Sequence, residues 1–112
     1  MNERVEALLA QMMQRELFVV FSEPNAEPAR LRPHLEAHLE FMIKLEEAGV
    51  LFASGPLFSA DGIMTGEGIT LLRAASFEEA RTIAERDPFV REGLRTFSIK
   101  RWTINEGRID LS

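Results

Sequence analysis

Residues His34–Leu57 read HLEAHLEFMIKLEEAGVLFASGPL and combine a helix pattern, a helix end and a strand pattern. Across residues 31–48, apolar side chains recur every three to four residues, which predicts a helix with one apolar side. Pro33 suits the first turn of that helix, and Gly49 is typical of the position after its end. The apolar run VLFASGPL that follows predicts a strand. The stretch therefore predicts a helix that leads directly into a strand.

Three further strands are predicted on either side of this stretch. The run ELFVVFS at 16–22 is aromatic and β-branched, as expected of a buried central strand. The segments ITLLRA at 69–74 and TFSIKRWTI at 96–104 also fit strands. Residues 58–68 contain three glycines and predict a hairpin connection that is longer than usual.

Two further helices are predicted, one within the core domain and one before it. Ser76 and Glu79 have the spacing of a capping box, in which each side chain binds a free backbone N–H at the helix start. Pro88 predicts that this helix ends near Asp87. In the segment 2–14, apolar residues recur at helical spacing and predict a helix that precedes the first strand.

The order of the core elements is β-α-β-β-α-β, which predicts an α+β fold, the ferredoxin-like sandwich, with an extra N-terminal helix. In this fold two helices cover one face of a four-stranded antiparallel sheet. The strands carry more large apolar residues than one covered face requires. Among them are Phe18, Val20, Phe52 and Trp102. We therefore expect a second copy of the chain to cover the other face in a homodimer.

Composition narrows the functional class. The 112 residues form one core domain at 16–104, with a helical extension at 1–15 and a tail at 105–112. The net charge is −5 and no basic face is evident, which argues against a nucleic-acid partner. The chain has no cysteine, no signal-peptide pattern at its start and no apolar run near the ~20 residues of a membrane span. We therefore expect a cytoplasmic protein without a membrane partner.

His38 lies near the centre of the apolar side of the helix at 31–48, where an imidazole must be desolvated and needs a hydrogen-bond partner. One interpretation is a structural histidine that is satisfied within the core. The other is a neutral imidazole that lines a cavity and takes up a proton near neutral pH. His34 and His38 also have the spacing of two metal ligands, but no third-ligand motif accompanies them. We expect neither a metal nor another cofactor.

Asp87 is the second candidate, at the exit of the second core helix. It is either a turn residue that accepts backbone hydrogen bonds or a carboxylate that reaches the imidazole. In the second case it would fix the tautomer of the histidine and stabilise its charged form. The sequence does not supply the distance between the two side chains, and the contact could form within one chain or across a dimer.

Two separated segments resemble the YCII-related (YciI-like) family. One is HLEFMIKLEEAGVLFASGPL at 38–57, and the other is DPFVREGL at 87–94. Members of that family carry a histidine near the start of the first core helix, a G-x-L-x-x-x-G-P strand and a D-P-[FY]-V segment after the second helix. The alignment places the family histidine on His38 and the family aspartate on Asp87. The resemblance covers residues 16–104.

The resemblance implies a ferredoxin-like fold, a dimer described as an α+β barrel, and an active site built around a His–Asp pair. Some relatives act as dehydrochlorinases on chlorinated aromatics, and muconolactone isomerases share the fold. The family arginine commonly lies about one turn before the histidine, where this chain has Leu35. Arg32, six residues before His38, is the candidate for that anion contact.

Two functions of different classes follow. The first is a cofactor-free enzyme that eliminates or isomerises a small acidic or aromatic-derived metabolite, with His38 moving a proton and Asp87 orienting it. The second is a non-catalytic dimeric module that binds a small molecule or another protein. An open cavity beside His38 favours the enzyme, whereas a closed one favours the module. The candidate binding residues are Arg32, Met42, Phe52, Ser54, Pro56 and Phe89, and Leu57 is a further candidate wall.

Overall fold

A computed structural model of the chain describes residues 2–109. The last three residues of the predicted tail lie outside the described residues, and 105–109 carry no helix or strand. The elements, in chain order, are α1 (Glu3–Ala10), β1 (Arg15–Pro24), α2 (Pro28–Leu31), a 3₁₀ turn (Arg32–His34), α3 (Leu35–Glu47), β2 (Leu51–Phe58), β3 (Met64–Leu72), α4 (Phe77–Glu85), α5 (Pro88–Arg91) and β4 (Arg95–Ile104).

The four strands form one antiparallel sheet in the order β2-β3-β1-β4. β1 lies in the interior of the sheet, and its apolar run Leu17–Val20 is buried, as the sequence predicts for a central strand. The two long core helices, α3 and α4, lie in the connections β1–β2 and β3–β4. This is the ferredoxin-like sandwich, and the prediction of that fold is confirmed.

The main core lies between the sheet and the two long helices. Phe18 and Val20 from β1 and Leu72 from β3 pack against buried residues of α4. The α4 residues are Ala80, Ile83 and Ala84. Because two of these three are alanines, the helix backbone can approach the sheet closely. From α3, Phe41 and Leu45 pack against the same cluster and remain partly buried.

The predicted capping box is present at the start of α4. The Ser76 hydroxyl accepts the backbone N–H of Glu79 at 3.1 Å. The return contact differs by one residue, because the Glu79 carboxylate accepts the N–H of Ala75 at 3.4 Å instead of that of Ser76. Two donors at the helix start are still satisfied, so the helix begins where the sequence predicts.

The single helix predicted at 31–48 is wrong at its beginning. The chain forms the short helix α2 and a 3₁₀ turn at Arg32–His34 before α3 begins at Leu35. Pro33 contributes to the break because it has no N–H for a helical hydrogen bond, and the backbone leaves helical geometry at His34, with φ −104° and ψ 0°. The connection between β1 and α3 therefore contains one turn of α-helix and one 3₁₀ turn.

The apolar side of α3 is not packed against the core along its whole length. Leu35 and Leu39 are 45% and 50% exposed, and both line a large cavity between α3 and the sheet. Phe41 and Leu45 provide the core contact instead. The apolar side of the helix is therefore shared between the core and the cavity.

The hairpin between β2 and β3 is shorter than predicted. β3 begins at Met64, so most of the glycine-containing stretch belongs to the strand and only 59–63 connect the two strands. The N–H of Ser59 donates to the carbonyl of Ile63 at 2.8 Å, and the Ser59 hydroxyl contacts the Asp61 carboxylate. These local hydrogen bonds close the turn early, and pairing of Phe58 with Met64 follows.

The opposite face of the sheet carries the apolar residues that alternate with the core residues. The register aligns Leu17 with Trp102 and Phe21 with Ser98 on that face. Leu17 is fully buried, whereas Phe21 and Trp102 are 40% and 44% exposed in the single chain. α1 contains no buried residue.

Within residues 2–109, no helix combines the length and the apolar composition that a membrane crossing requires.

Candidate active site

His38 and Asp87 are in direct contact within one chain. The imidazole Nδ1 of His38 lies 2.9 Å from Oδ2 and 3.0 Å from Oδ1 of Asp87. The two side chains are partly buried, at 22% and 16% exposure. Because an ionised carboxylate only accepts hydrogen bonds, Nδ1 carries the proton in this contact. Nε2 is then the ring nitrogen that remains for a ligand.

Local structure after α4 fixes the Asp87 carboxylate. α4 ends at Glu85, and Asp87 is the N-cap of α5, with Pro88 in the first turn. The N–H of Phe89 donates to Oδ1 of Asp87 at 2.9 Å. The same oxygen therefore caps a helix and contacts the imidazole, so both interpretations of Asp87 apply at once.

Phe89 restrains the His38 ring from one side. Its ring centroid lies 4.5 Å from that of the imidazole, with an angle of 27° between the planes, and the phenyl is buried. Stacking limits rotation of the imidazole about its own axis, and the Asp87 contact sets which edge points away from the carboxylate. The imidazole is thus oriented by Phe89 of α5 and by Asp87, the N-cap of the same helix.

A cavity of about 940 Å³ opens beside this pair, between α3 and the inner face of the sheet. All eight residues proposed from the sequence for catalysis and binding line this cavity. They are His38, Asp87, Arg32, Met42, Phe52, Ser54, Pro56 and Phe89. Their roles in catalysis or binding stay predictions. Leu57 does not line this cavity, because strand alternation turns it to the other face when Pro56 pairs with Gly68 on the inner face.

Arg95 is a cavity residue that the sequence reasoning missed. Its Nε donates to the Ser22 hydroxyl at 2.7 Å and its Nη2 donates to the Gly66 carbonyl at 2.7 Å. Burial lowers the pKa of the Arg95 guanidinium from its usual value, and the carboxylates of Asp87 and Glu23 oppose that effect. Alternation along β4 was the available signal, since Arg95, Phe97 and Ile99 are half-buried and the residues between them are exposed.

The floor of the cavity has a second polar contact. The hydroxyls of Ser54 in β2 and Thr70 in β3 are 2.9 Å apart, on paired positions of the inner face. Apolar side chains from α3 and the strands form most of the remaining wall. Such a largely apolar site with a few placed polar groups is typical of a small-molecule pocket.

The two histidines do not share a site. His34 belongs to the 3₁₀ turn and does not line the cavity, whereas His38 does. In the part of the chain that the structure describes, no group of three or more histidine, aspartate or glutamate residues is placed to hold a metal ion. The histidine spacing therefore creates no metal centre among these residues.

Comparisons with known proteins show similarity in family, in sequence and in fold. A family model described as a YCII-related domain matches residues 6–103, so the similarity extends into α1. The Bacillus subtilis (strain 168) protein YjpA is 33% identical over 73 residues, which is 65% of this chain and 80% of YjpA. A solved structure of 5-chloro-2-hydroxyhydroquinone dehydrochlorinase (TftG) from Burkholderia phenoliruptrix AC1100, in complex with 2,5-dihydroxybenzoquinone, matches with a TM-score of 0.59. It is 23% identical, and the match covers 78% of this chain and 93% of that one, so this likeness concerns the fold.

Proposed function

This chain belongs to the YCII-related family, and from that premise we propose that it is a cofactor-free enzyme that removes a proton from a small acidic or aromatic-derived metabolite. The reaction class is elimination, including dehydrochlorination, or isomerisation. His38 is the base and Asp87 orients it. The observation that carries the proposal is the contact between His38 Nδ1 and the Asp87 carboxylate at the wall of an open cavity.

The proposed chemistry needs one positioned base. Nε2 of His38 takes a proton from a carbon next to a carbonyl, and Asp87 stabilises the imidazolium that forms. In an elimination, the electron pair of the broken C–H bond forms a C=C bond while the C–Cl bond breaks and chloride leaves. In an isomerisation, the imidazolium returns the proton to a different carbon. Neither reaction consumes an oxidant or a reductant.

The cavity supports a small cyclic substrate. Its volume of about 940 Å³ is within the range of roughly 300–1,000 Å³ that is usual for ligand pockets. Phe52 and Phe89 supply aromatic surface, and the Ser54 and Thr70 hydroxyls supply polar contacts. The substrate of TftG, a chlorinated hydroxyhydroquinone, has this combination of an aromatic ring and acidic hydroxyls.

The proposal is tested by two assays on the purified protein. Chloride release is measured with 5-chloro-2-hydroxyhydroquinone, and deuterium uptake from heavy water into carbon positions is measured with 2,5-dihydroxybenzoquinone. We expect at least one rate above the buffer rate. If neither exceeds it while either compound binds, the protein is a small-molecule-binding module, and the enzymatic proposal is wrong.

We further propose a homodimer formed through the outer face of the sheet. Phe21 and Trp102 are 40% and 44% exposed there, on a face that also carries Ser98 and Lys100, and a second copy would cover these two aromatic side chains. Light scattering at micromolar concentration should report twice the 12.7 kDa mass of the chain. Trp102→Glu should shift the equilibrium to the monomer, because it places a charge within the apolar contact. A wild-type species that stays at the monomer mass contradicts the dimer.

A further inference from the structure

We infer that Arg95 selects an anionic ligand in this cavity, and that its guanidinium binds a carboxylate, phenolate or enolate oxygen while His38 Nε2 faces the reacting carbon. The inference rests on the proposed function, because it takes the ligand of the cavity to be the molecule on which His38 acts. It adds the residue that fixes the orientation and the charge class of that molecule.

The first argument is the unused hydrogen-bonding capacity of Arg95. A guanidinium has five N–H donors, and two of them are used by Ser22 and Gly66. Among the described residues, no fully buried side-chain nitrogen lacks a partner, so Nη1 is not fully buried, and Arg95 is one of the residues that line the cavity. Two parallel N–H groups on one accessible edge match the geometry of a carboxylate or of two neighbouring ring oxygens.

The second argument is charge. Arg95 is partly buried, and within residues 2–109 no carboxylate lies within 4.0 Å of it, because the only ion pair at that distance joins His38 and Asp87. The two acceptors that it does contact, a hydroxyl and a carbonyl, are neutral. The carboxylates of Asp87 and Glu23 act on the guanidinium only from beyond that distance, so an anionic ligand in direct contact would offset its remaining desolvation cost.

The third argument is the absence of a side chain at Gly68, beside the guanidinium. A Cβ added to Gly68 would lie 3.9 Å from Arg95 Nη2, so the absent side chain leaves that side of the guanidinium uncovered. Gly66 has a φ of +91°, and a Cβ there would lie 3.2 Å from Pro24. The Pro24 ring therefore occupies the space beside Gly66, so a flat ligand would approach the guanidinium over Gly68, where the strand backbone carries no side chain.

Arg95 also has a structural role that the experiment must separate from binding. The Arg95 side chain extends from the edge strand β4 and forms hydrogen bonds with Ser22 of β1 and Gly66 of β3. It therefore connects three strands of the sheet. A residue that only ties strands affects every ligand equally through the shape of the cavity. A residue that binds an anion affects charged ligands more than neutral ones of the same shape.

The test compares two ring compounds by nuclear magnetic resonance titration. The probe 2,5-dihydroxybenzoquinone is an anion at neutral pH, and 2,5-dimethoxybenzoquinone has the same ring without an ionisable hydroxyl. We expect the wild type to prefer the anion, and Arg95→Gln to lower the affinity for the anion by about tenfold to a hundredfold, the scale of a charged hydrogen bond. Affinity for the neutral probe should change much less.

Two variants give matched controls. Arg101→Gln makes the same charge change at an exposed position of β4 outside the cavity and should keep the preference for the anion. His38→Asn should also keep it, so the anion site can be established even if no turnover is found. If Arg95→Gln fails to fold, the guanidinium resonances of Arg95 in the wild type replace it. The anionic probe should shift them and the neutral probe should not.

Three results overturn the inference. The first is a wild type that binds both probes equally or binds neither. The second is Arg95→Gln weakening both probes by the same factor, which assigns Arg95 to the sheet alone. The third is loss of the preference in Arg32→Gln with Arg95→Gln unaffected, which assigns the anion contact to Arg32.

Discussion

His38→Asn is expected to lower kcat by about 10²–10⁴-fold, the usual contribution of a positioned general base, and to leave a folded protein. Asparagine is close to histidine in size and has an N–H that can donate to Asp87, but it has no nitrogen that takes up a proton at neutral pH. The measurement is turnover in the two assays proposed above, together with a thermal melt of each variant.

His34→Asn is the matched control, since it makes the same exchange four residues away. His34 lies in the 3₁₀ turn outside the cavity, so its replacement should change neither turnover nor melting temperature by much. Suppose instead that His38→Asn destabilises the fold by several kcal/mol, the scale of a broken buried network. The histidine would then be structural, and its place in the apolar side of α3 would reflect packing.

The order of the elements along the chain and both core helices were predictable because each has a local signal. Alternation and β-branched residues mark β1 and β4, and a serine–glutamate pair marks the start of α4. The start of α3 was not predicted correctly, because the apolar periodicity runs through Pro33 without interruption while the backbone does not. Periodicity reports which residues share a side of a helix and does not report where the hydrogen bonds begin.

The candidate site was predictable in its residue types and unpredictable in its distances. Motifs identified His38 and Asp87, but the 2.9 Å contact depends on how α3 packs beside α5, which no local pattern encodes. Leu57 was misplaced because strand alternation turns it to the face opposite that of Pro56. Alternation would also have identified Arg95, whose charge made it look like a surface residue.

The apolar side of α3 has more residues than those that contact the core, and the cavity explains the difference. Leu35 and Leu39 resemble core residues in the sequence, and they line the cavity in the structure. A binding site for an apolar ring requires the same residue types as a core, so periodicity alone cannot separate the two. The histidine within that pattern is the feature that distinguishes them, because a plain core position favours an aliphatic side chain.

Asp87→Asn is expected to lower kcat by about 10²–10⁴-fold while the fold stays intact. The amide oxygen of the introduced asparagine can still accept the N–H of Phe89 and cap α5, because asparagine and aspartate cap helices equally well. The amide NH₂ group would then face His38 Nδ1. An Nδ1–H and this NH₂ group are both donors, so the variant favours the tautomer that holds its proton on Nε2 and accepts through Nδ1 over the one that donates to the remaining oxygen. In the favoured tautomer, the nitrogen that faces the cavity would no longer be a base.

Asp87→Ala separates this tautomer effect from capping. The alanine variant loses the cap of α5, which costs about 1 kcal/mol, and it also frees the imidazole without imposing the wrong tautomer. We therefore expect Asp87→Asn to be the more stable of the two variants and no more active than Asp87→Ala. Nitrogen-15 shifts of His38 identify the protonated ring nitrogen in each variant. If Asp87→Asn retains both wild-type turnover and a proton on Nδ1, the carboxylate does not orient the base, and its contact with His38 serves the fold alone.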